Sequence, residues 1–146
     1  MNREEIKELI PHREPMLLVD EINLDGEFAR ATYTVRGDEW FLQGHFPGNP
    51  VVPGVVLCEI IAQGAALLLK DDLIGKVPFF AGMNKVKFRQ PARPGDRLDV
   101  TAKIIRHNGP FVMLKGEAYV GDKKAVEGEY TIALIDKENA VGETAG

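Results

Sequence analysis

The chain contains no serine at all, which excludes a Ser-His-Asp hydrolase at the outset. Its single cysteine, Cys58, rules out an internal disulfide and fits a reducing cytosol. On an apolar helix such a cysteine is read as a small core residue rather than a nucleophile. The three histidines, His12, His45 and His107, are widely spaced, and neither HExxH nor CxxC occurs, so no metal site is expected. A P-loop and a GxGxxG turn are also missing, and with them the usual phosphate cradles. Lys and Arg number 18 against 22 Asp and Glu, a net charge of −4 that argues against a nucleic-acid binder. The longest apolar stretch, 55–69, is too short for a membrane span and holds a glutamate. The opening residues MNREEIKELI lack the apolar core of a signal peptide. There is no internal repeat and no low-complexity block.

What is present centres on residues 42–64, LQGHFPGNPVVPGVVLCEIIAQG. A glycine- and proline-rich loop carries His45, with Gly44, Phe46, Pro47, Gly48, Asn49 and Pro50 around it. Such a run forms no regular structure and lets backbone approach a ligand closely. Pro53 suits the first turn of a helix running to Leu69. Apolar residues all round that helix predict burial on every side. Its strongly polar side chains are Glu59 and Gln63, four apart and so on one face. A carboxyl in apolar surroundings is pushed toward its neutral form, and near a histidine it makes an acid–base pair. The helix start, with unpartnered N–H groups and the positive end of the macrodipole, is a ready oxyanion hole. Such a site needs no cofactor. The alternative reading is a core glutamate satisfied by Gln63 and the backbone.

Along the chain, Asn2 with Glu4 and Glu5 caps a short helix that ends before Pro11. A strand is predicted over 16–24 and another over 27–35, joined by Asp25-Gly26 as a hairpin. The second alternates Phe28, Arg30, Thr32 and Thr34 against Ala29, Ala31, Tyr33 and Val35. Further strands are predicted at 79–89, 97–107, 110–121 and 124–135, with turn chemistry between them. His12 and His107 are read as capping or solvated. The elements predict one α+β domain over 1–136, a curved antiparallel sheet wrapped around one long buried central helix. Residues 137–146, polar and small, are expected to form a flexible tail.

GHFPGNPVVPGVVLCEIIAQ closely resembles the signature of (3R)-hydroxyacyl-acyl-carrier-protein dehydratases of the FabZ type, which have a hot-dog fold. The resemblance extends to PHREPMLLVD and to FAGMNKVKFRQPARPGDRL, and so covers nearly everything but the tail. It implies that His45 removes the α-proton of a 3-hydroxyacyl thioester and that Glu59 protonates the leaving hydroxyl, positioned by Gln63. Gly54 and Val55 at the helix start would hold the thioester oxygen, and Phe46 and Phe79 would line the acyl tunnel. Glu14 and Phe79 depart from common family choices, which bears on chain length rather than on chemistry. The resemblance further implies a cytoplasmic homodimer pairing the histidine of one subunit with the glutamate of the other, and a hexamer of three such dimers.

By the same resemblance the substrate would arrive on an acyl carrier protein, which is strongly acidic. Residues 85–97 hold Lys85, Lys87, Arg89, Arg93 and Arg97 against Asp96 alone, a basic patch suited to that partner. Alternation along a solvated strand generates part of the same pattern. Three other readings stand beside the dehydratase. A thioesterase would release free thiol, an isomerising dehydratase is a relative with aspartate at the position of Glu59, and a non-catalytic acyl-binding subunit would lack one of the pair.

Overall fold

The computed structural model describes residues 1–138. Helix α1 (Arg3–Leu9) opens with the expected cap. The Asn2 side chain accepts the Glu5 N–H, and the Glu5 carboxylate accepts the Asn2 N–H in return. Strands β1 (Glu21–Asp25) and β2 (Phe28–Thr34) form the predicted hairpin, with Gly26 at a φ of 62° in its turn. Ala29, Ala31 and Tyr33 face the core, as the two-residue period requires. Helix α2 (Gly54–Gly64) follows the histidine loop and passes into a 3₁₀ turn at Ala66–Leu69. Then come β3 (Lys76–Phe88), β4 (Arg97–Asn108), β5 (Phe111–Val120) and β6 (Lys123–Asp136).

The six strands form one antiparallel sheet in the order β1-β2-β4-β5-β6-β3. This overturns the expectation of a sheet wrapped around the helix. The sheet is open, with β1 and β3 as unpaired edges, and α2 lies across one face. The reason is size. An 11-residue helix is about 16 Å long, and it covers the middle of a sheet whose long strands run past it. Nor is α2 buried on every side: Val55 is exposed, and Glu59 and Ala62 are half-buried. These three lie at helical spacing on one stripe, so the helix keeps an outward face with its carboxyl on it.

Two glycines seat the helix on the sheet. A Cβ on Gly64 would lie 3.0 Å from the Ala31 Cβ, and one on Gly116 in β5 would lie 2.4 Å from the Ile61 Cγ2. Ile60 and Ile61 are fully buried in the core that results. Strand β3 is unlike the others because Phe79, Phe80, Met83 and Phe88 are all exposed along this edge. Lys137 still bonds through its N–H to the Gly75 carbonyl at 3.1 Å. The rest of the expected tail, 139–146, lies outside the described residues. Among the described residues no helix is long and apolar enough to cross a membrane.

Candidate active site

His45 sits in a loop tied to itself. The Phe46 N–H bonds to the Asn49 carbonyl at 3.0 Å, and the Asn49 N–H bonds back to the Phe46 carbonyl at 2.9 Å. Gly44 and Gly48 supply the positive φ angles, 84° and 73°, that let the chain turn so sharply. The His45–Phe46 peptide is cis, and the two rings stack with centroids 4.2 Å apart. His45 Nδ1 lies 3.0 Å from the Val51 carbonyl oxygen. A carbonyl only accepts, so Nδ1 carries the proton and Nε2 is left with a free lone pair. That is the tautomer of a base.

The imidazole lines an open groove of about 670 Å³ with Val52, Pro53, Gly54, Val55 and Phe88. Pro53 caps α2 without a side-chain hydrogen bond, and its carbonyl accepts from Val56 and Leu57. The Gly54 and Val55 N–H groups have no backbone partner among the described residues, and both residues line the same groove. A Cβ on Gly54 would meet the Phe88 ring at 2.8 Å, so the glycine lets the aromatic close over the helix start.

Glu59 lines a different and much smaller cavity, about 40 Å³, a space on the scale of one or two water molecules. Its side chain is 21% exposed, so the carboxyl stands in a cavity wall instead of sealed in apolar core. Gln63, only 3% exposed, fixes it. The Gln63 carbonyl oxygen accepts the Leu18 N–H at 2.7 Å, and its NH₂ donates to the Met16 carbonyl at 2.8 Å and to Glu59 Oε2 at 2.7 Å. The amide is thereby oriented by the backbone of the segment leading into β1. Phe79 stands at this cavity, 47% exposed.

In one chain, then, His45 shares its groove with Gly54 and Val55, while Glu59, Gln63 and Phe79 share the other cavity. Phe46 accompanies His45 and lies in neither lining. The structure adds a residue that the sequence had left among the capping or solvated ones: His12 Nε2 stands 3.4 Å from Glu59 Oε2, in the Glu59 cavity. No spacing rule links two residues so far apart in the chain. His107 is half-exposed, 3.6 Å from Asp72. Cys58 is 1% exposed and burial raises its thiol, which leaves it a core side chain rather than a nucleophile.

The basic stretch divides. Arg89 pairs with Glu127 at 2.9 Å and Arg97 with Asp99 at 3.1 Å. The side chains of Lys85, Lys87 and Arg93 have no acidic partner among the described residues; the Arg93 N–H donates to the Asp96 carboxylate at 2.8 Å, and its guanidinium bonds to the Asn49 side chain of the histidine loop at 2.6 Å.

A family model described as FabA-like domain matches residues 10–129. The chain is 46% identical over 140 residues to the 3-hydroxyacyl-[acyl-carrier-protein] dehydratase FabZ of Campylobacter hominis, which spans 91% of this chain and 97% of that protein. With the enzyme of the same name from Clostridium kluyveri it shares 43% identity over 138 residues, 92% of this chain and 96% of that one. Among solved structures, one described as the dehydratase heterocomplex ApeI:P from Xenorhabdus doucetiae superposes with a TM-score of 0.79. It covers 97% of both chains at 18% identity. A fluoroacetyl-CoA thioesterase, FlK, gives 0.71 at 15% identity, covering 84% of this chain and 96% of that one. These last two likenesses are of fold.

Proposed function

This chain belongs to the FabA-like family, among its FabZ-type dehydratases, and from that premise we propose that it removes water from (3R)-3-hydroxyacyl thioesters on acyl carrier protein. The product is the trans-2-enoyl thioester. The observation that carries the residue assignment is the His45 tautomer: Nδ1–H held by the Val51 carbonyl, with Nε2 bare in a groove edged by two unpartnered N–H groups.

His45 Nε2 takes the α-proton. The electron pair moves toward the thioester carbonyl, and the Gly54 and Val55 N–H groups receive the oxygen as it becomes negative. The C3–O bond then breaks while Glu59 gives its proton to the departing hydroxyl, so water leaves and the C2=C3 bond forms. Gln63 holds Glu59 in place for this step.

The base and the acid belong to two copies of the chain. In favour of this are their separate cavities within one chain and the apolar side chains left uncovered on edge strand β3. The acyl chain runs between the copies, past Phe79 and Phe46. The carrier protein docks on Lys85, Lys87, Arg89, Arg93 and Arg97, of which Arg89 also borders the His45 groove.

The test is an absorbance assay of enoyl thioester formation with 3-hydroxybutyryl and longer carrier-bound substrates. His45→Ala and Glu59→Gln are expected to abolish turnover while the assembly, read by sedimentation as dimer or hexamer, persists. A His45→Ala enzyme with most of its activity removes that residue from the mechanism. Free thiol detected with a thiol reagent, in place of enoyl product, replaces the reading with a thioesterase.

A further inference from the structure

His12 follows α1 and lines the Glu59 cavity together with Phe79 and Phe80 of β3. Its two ring nitrogens have different surroundings. Nε2 stands 3.4 Å from Glu59 Oε2, whereas Nδ1 is buried with no hydrogen-bond partner among the described residues. An orphaned buried N–H is much rarer in folded proteins than an under-used acceptor. The ring proton therefore belongs on Nε2, aimed at Glu59, and Nδ1 keeps a bare lone pair. The separation is longer than a settled hydrogen bond, as contacts in substrate-free sites commonly are before the site closes.

Oε2 accepts the Gln63 amide at 2.7 Å and has the His12 ring nitrogen 3.4 Å away, close but not yet in a hydrogen bond. An oxygen that already receives one N–H and faces a second is the wrong oxygen to hold the acid's own proton. We propose that His12 is a positioning residue for Glu59: with Gln63 it occupies Oε2, so that Oε1 carries the proton and presents it to the leaving hydroxyl. The proposal rests on the dehydratase reading of Glu59 and adds the residue that decides which carboxyl oxygen acts. The groups facing this carboxyl come from the segment after α1 (Ile10, His12), from α2 (Ala62, Gln63) and from β3 (Phe79), and His12 is the one titratable group besides Glu59 in the cavity lining.

A residue that serves only proton delivery is needed only when the leaving group needs a proton. The experiment therefore compares two thioesters in the intact enzyme, one bearing a 3-hydroxyl and one bearing a 3-chloro group. With the chloride, His45 Nε2 takes the α-proton and the C3–Cl electron pair departs with chloride, so no acid is used. His12→Phe is expected to lower kcat on the hydroxy substrate by about tenfold or more, part of the roughly 10²–10⁴-fold that a general acid supplies. KM should stay within about twofold, and elimination of chloride, above its spontaneous rate, should stay near the wild-type rate. His12→Gln, whose amide again offers an N–H to Oε2, is expected to restore most of the lost kcat.

Equal slowing on both substrates means that the ring merely supports the fold, and it overturns the proposal. So does a folded His12→Gln enzyme, checked by circular dichroism, that is no faster than His12→Phe. Failure of the underlying reading looks different: wild-type enzyme then eliminates neither water nor chloride, or Glu59→Gln turns over the hydroxy substrate normally.

Discussion

The side-chain amide of Gln63 spans two parts of the molecule, donating to Glu59 Oε2 at 2.7 Å while its oxygen accepts the Leu18 N–H at 2.7 Å. Replacing it with leucine strips the Leu18 N–H and the Met16 carbonyl of their partner and frees the carboxyl. Gln63→Leu is expected to cost about 1–3 kcal/mol in chemical denaturation. It should lower kcat more than it raises KM, which steady-state kinetics will check.

Gly54 carries no Cβ, and the Phe88 ring occupies the space one would need, at 2.8 Å. Because that ring is more than half exposed, it can move aside. Gly54→Ala is expected to change stability by less than about 1 kcal/mol, yet to slow turnover by disturbing the helix start where the thioester oxygen is held. Gly54→Ala with Phe88→Ala should recover part of the rate.

Gly116 offers no such relief, since its missing Cβ faces the fully buried Ile61 side chain at 2.4 Å. Gly116→Ala is expected to destabilise the fold by about 1–3 kcal/mol through overpacking. Trimming Ile61 to alanine opens room at the same spot, so the double variant should lose less than the sum of the two single losses, measured in a double-mutant cycle.

Met83 and Phe79 are exposed on an edge strand whose outer side pairs with no strand among the described residues. A charge there opposes contact with a second copy. Met83→Glu is expected to shift sedimentation toward the monomer and to remove activity with it. An active monomer would contradict the assignment of base and acid to two copies.

Glu127 accepts from Lys124 at 2.6 Å and from Arg89 at 2.9 Å, and these bonds lower its carboxyl from 4.5 to about 2. A depressed folded-state value means that the carboxylate stabilises the fold above the unfolded value, near 4.5, and that this contribution is lost as pH falls toward 2. Stability of wild type relative to Glu127→Gln, measured by denaturation at pH 7 and at pH 3, should therefore be larger at pH 7. Added salt should shrink the difference, because the group is at the surface.

By itself the amino-acid order determined most of the local structure, though β1 begins only at Glu21 and α2 stops at Gly64, short of Leu69. The Asn2–Glu5 cap, the Asp25-Gly26 hairpin, the inward set Ala29, Ala31 and Tyr33, the start of α2 behind Pro53 and the four late strands all follow from turn chemistry and periodicity within a few residues. The candidate pair was legible as well, because a carboxyl in an apolar run and a histidine in a glycine–proline loop stand out against their neighbours. Tertiary structure alone decided how far the sheet curls. Closure depends on whether its two edges meet, and β1 and β3 do not. It also decided that α2 keeps an open stripe, that Arg89 is answered by Glu127 on β6, and that His12 stands against Glu59. Those contacts join residues that only packing brings together, and a one-dimensional pattern carries no record of which distant side chain fills a cavity.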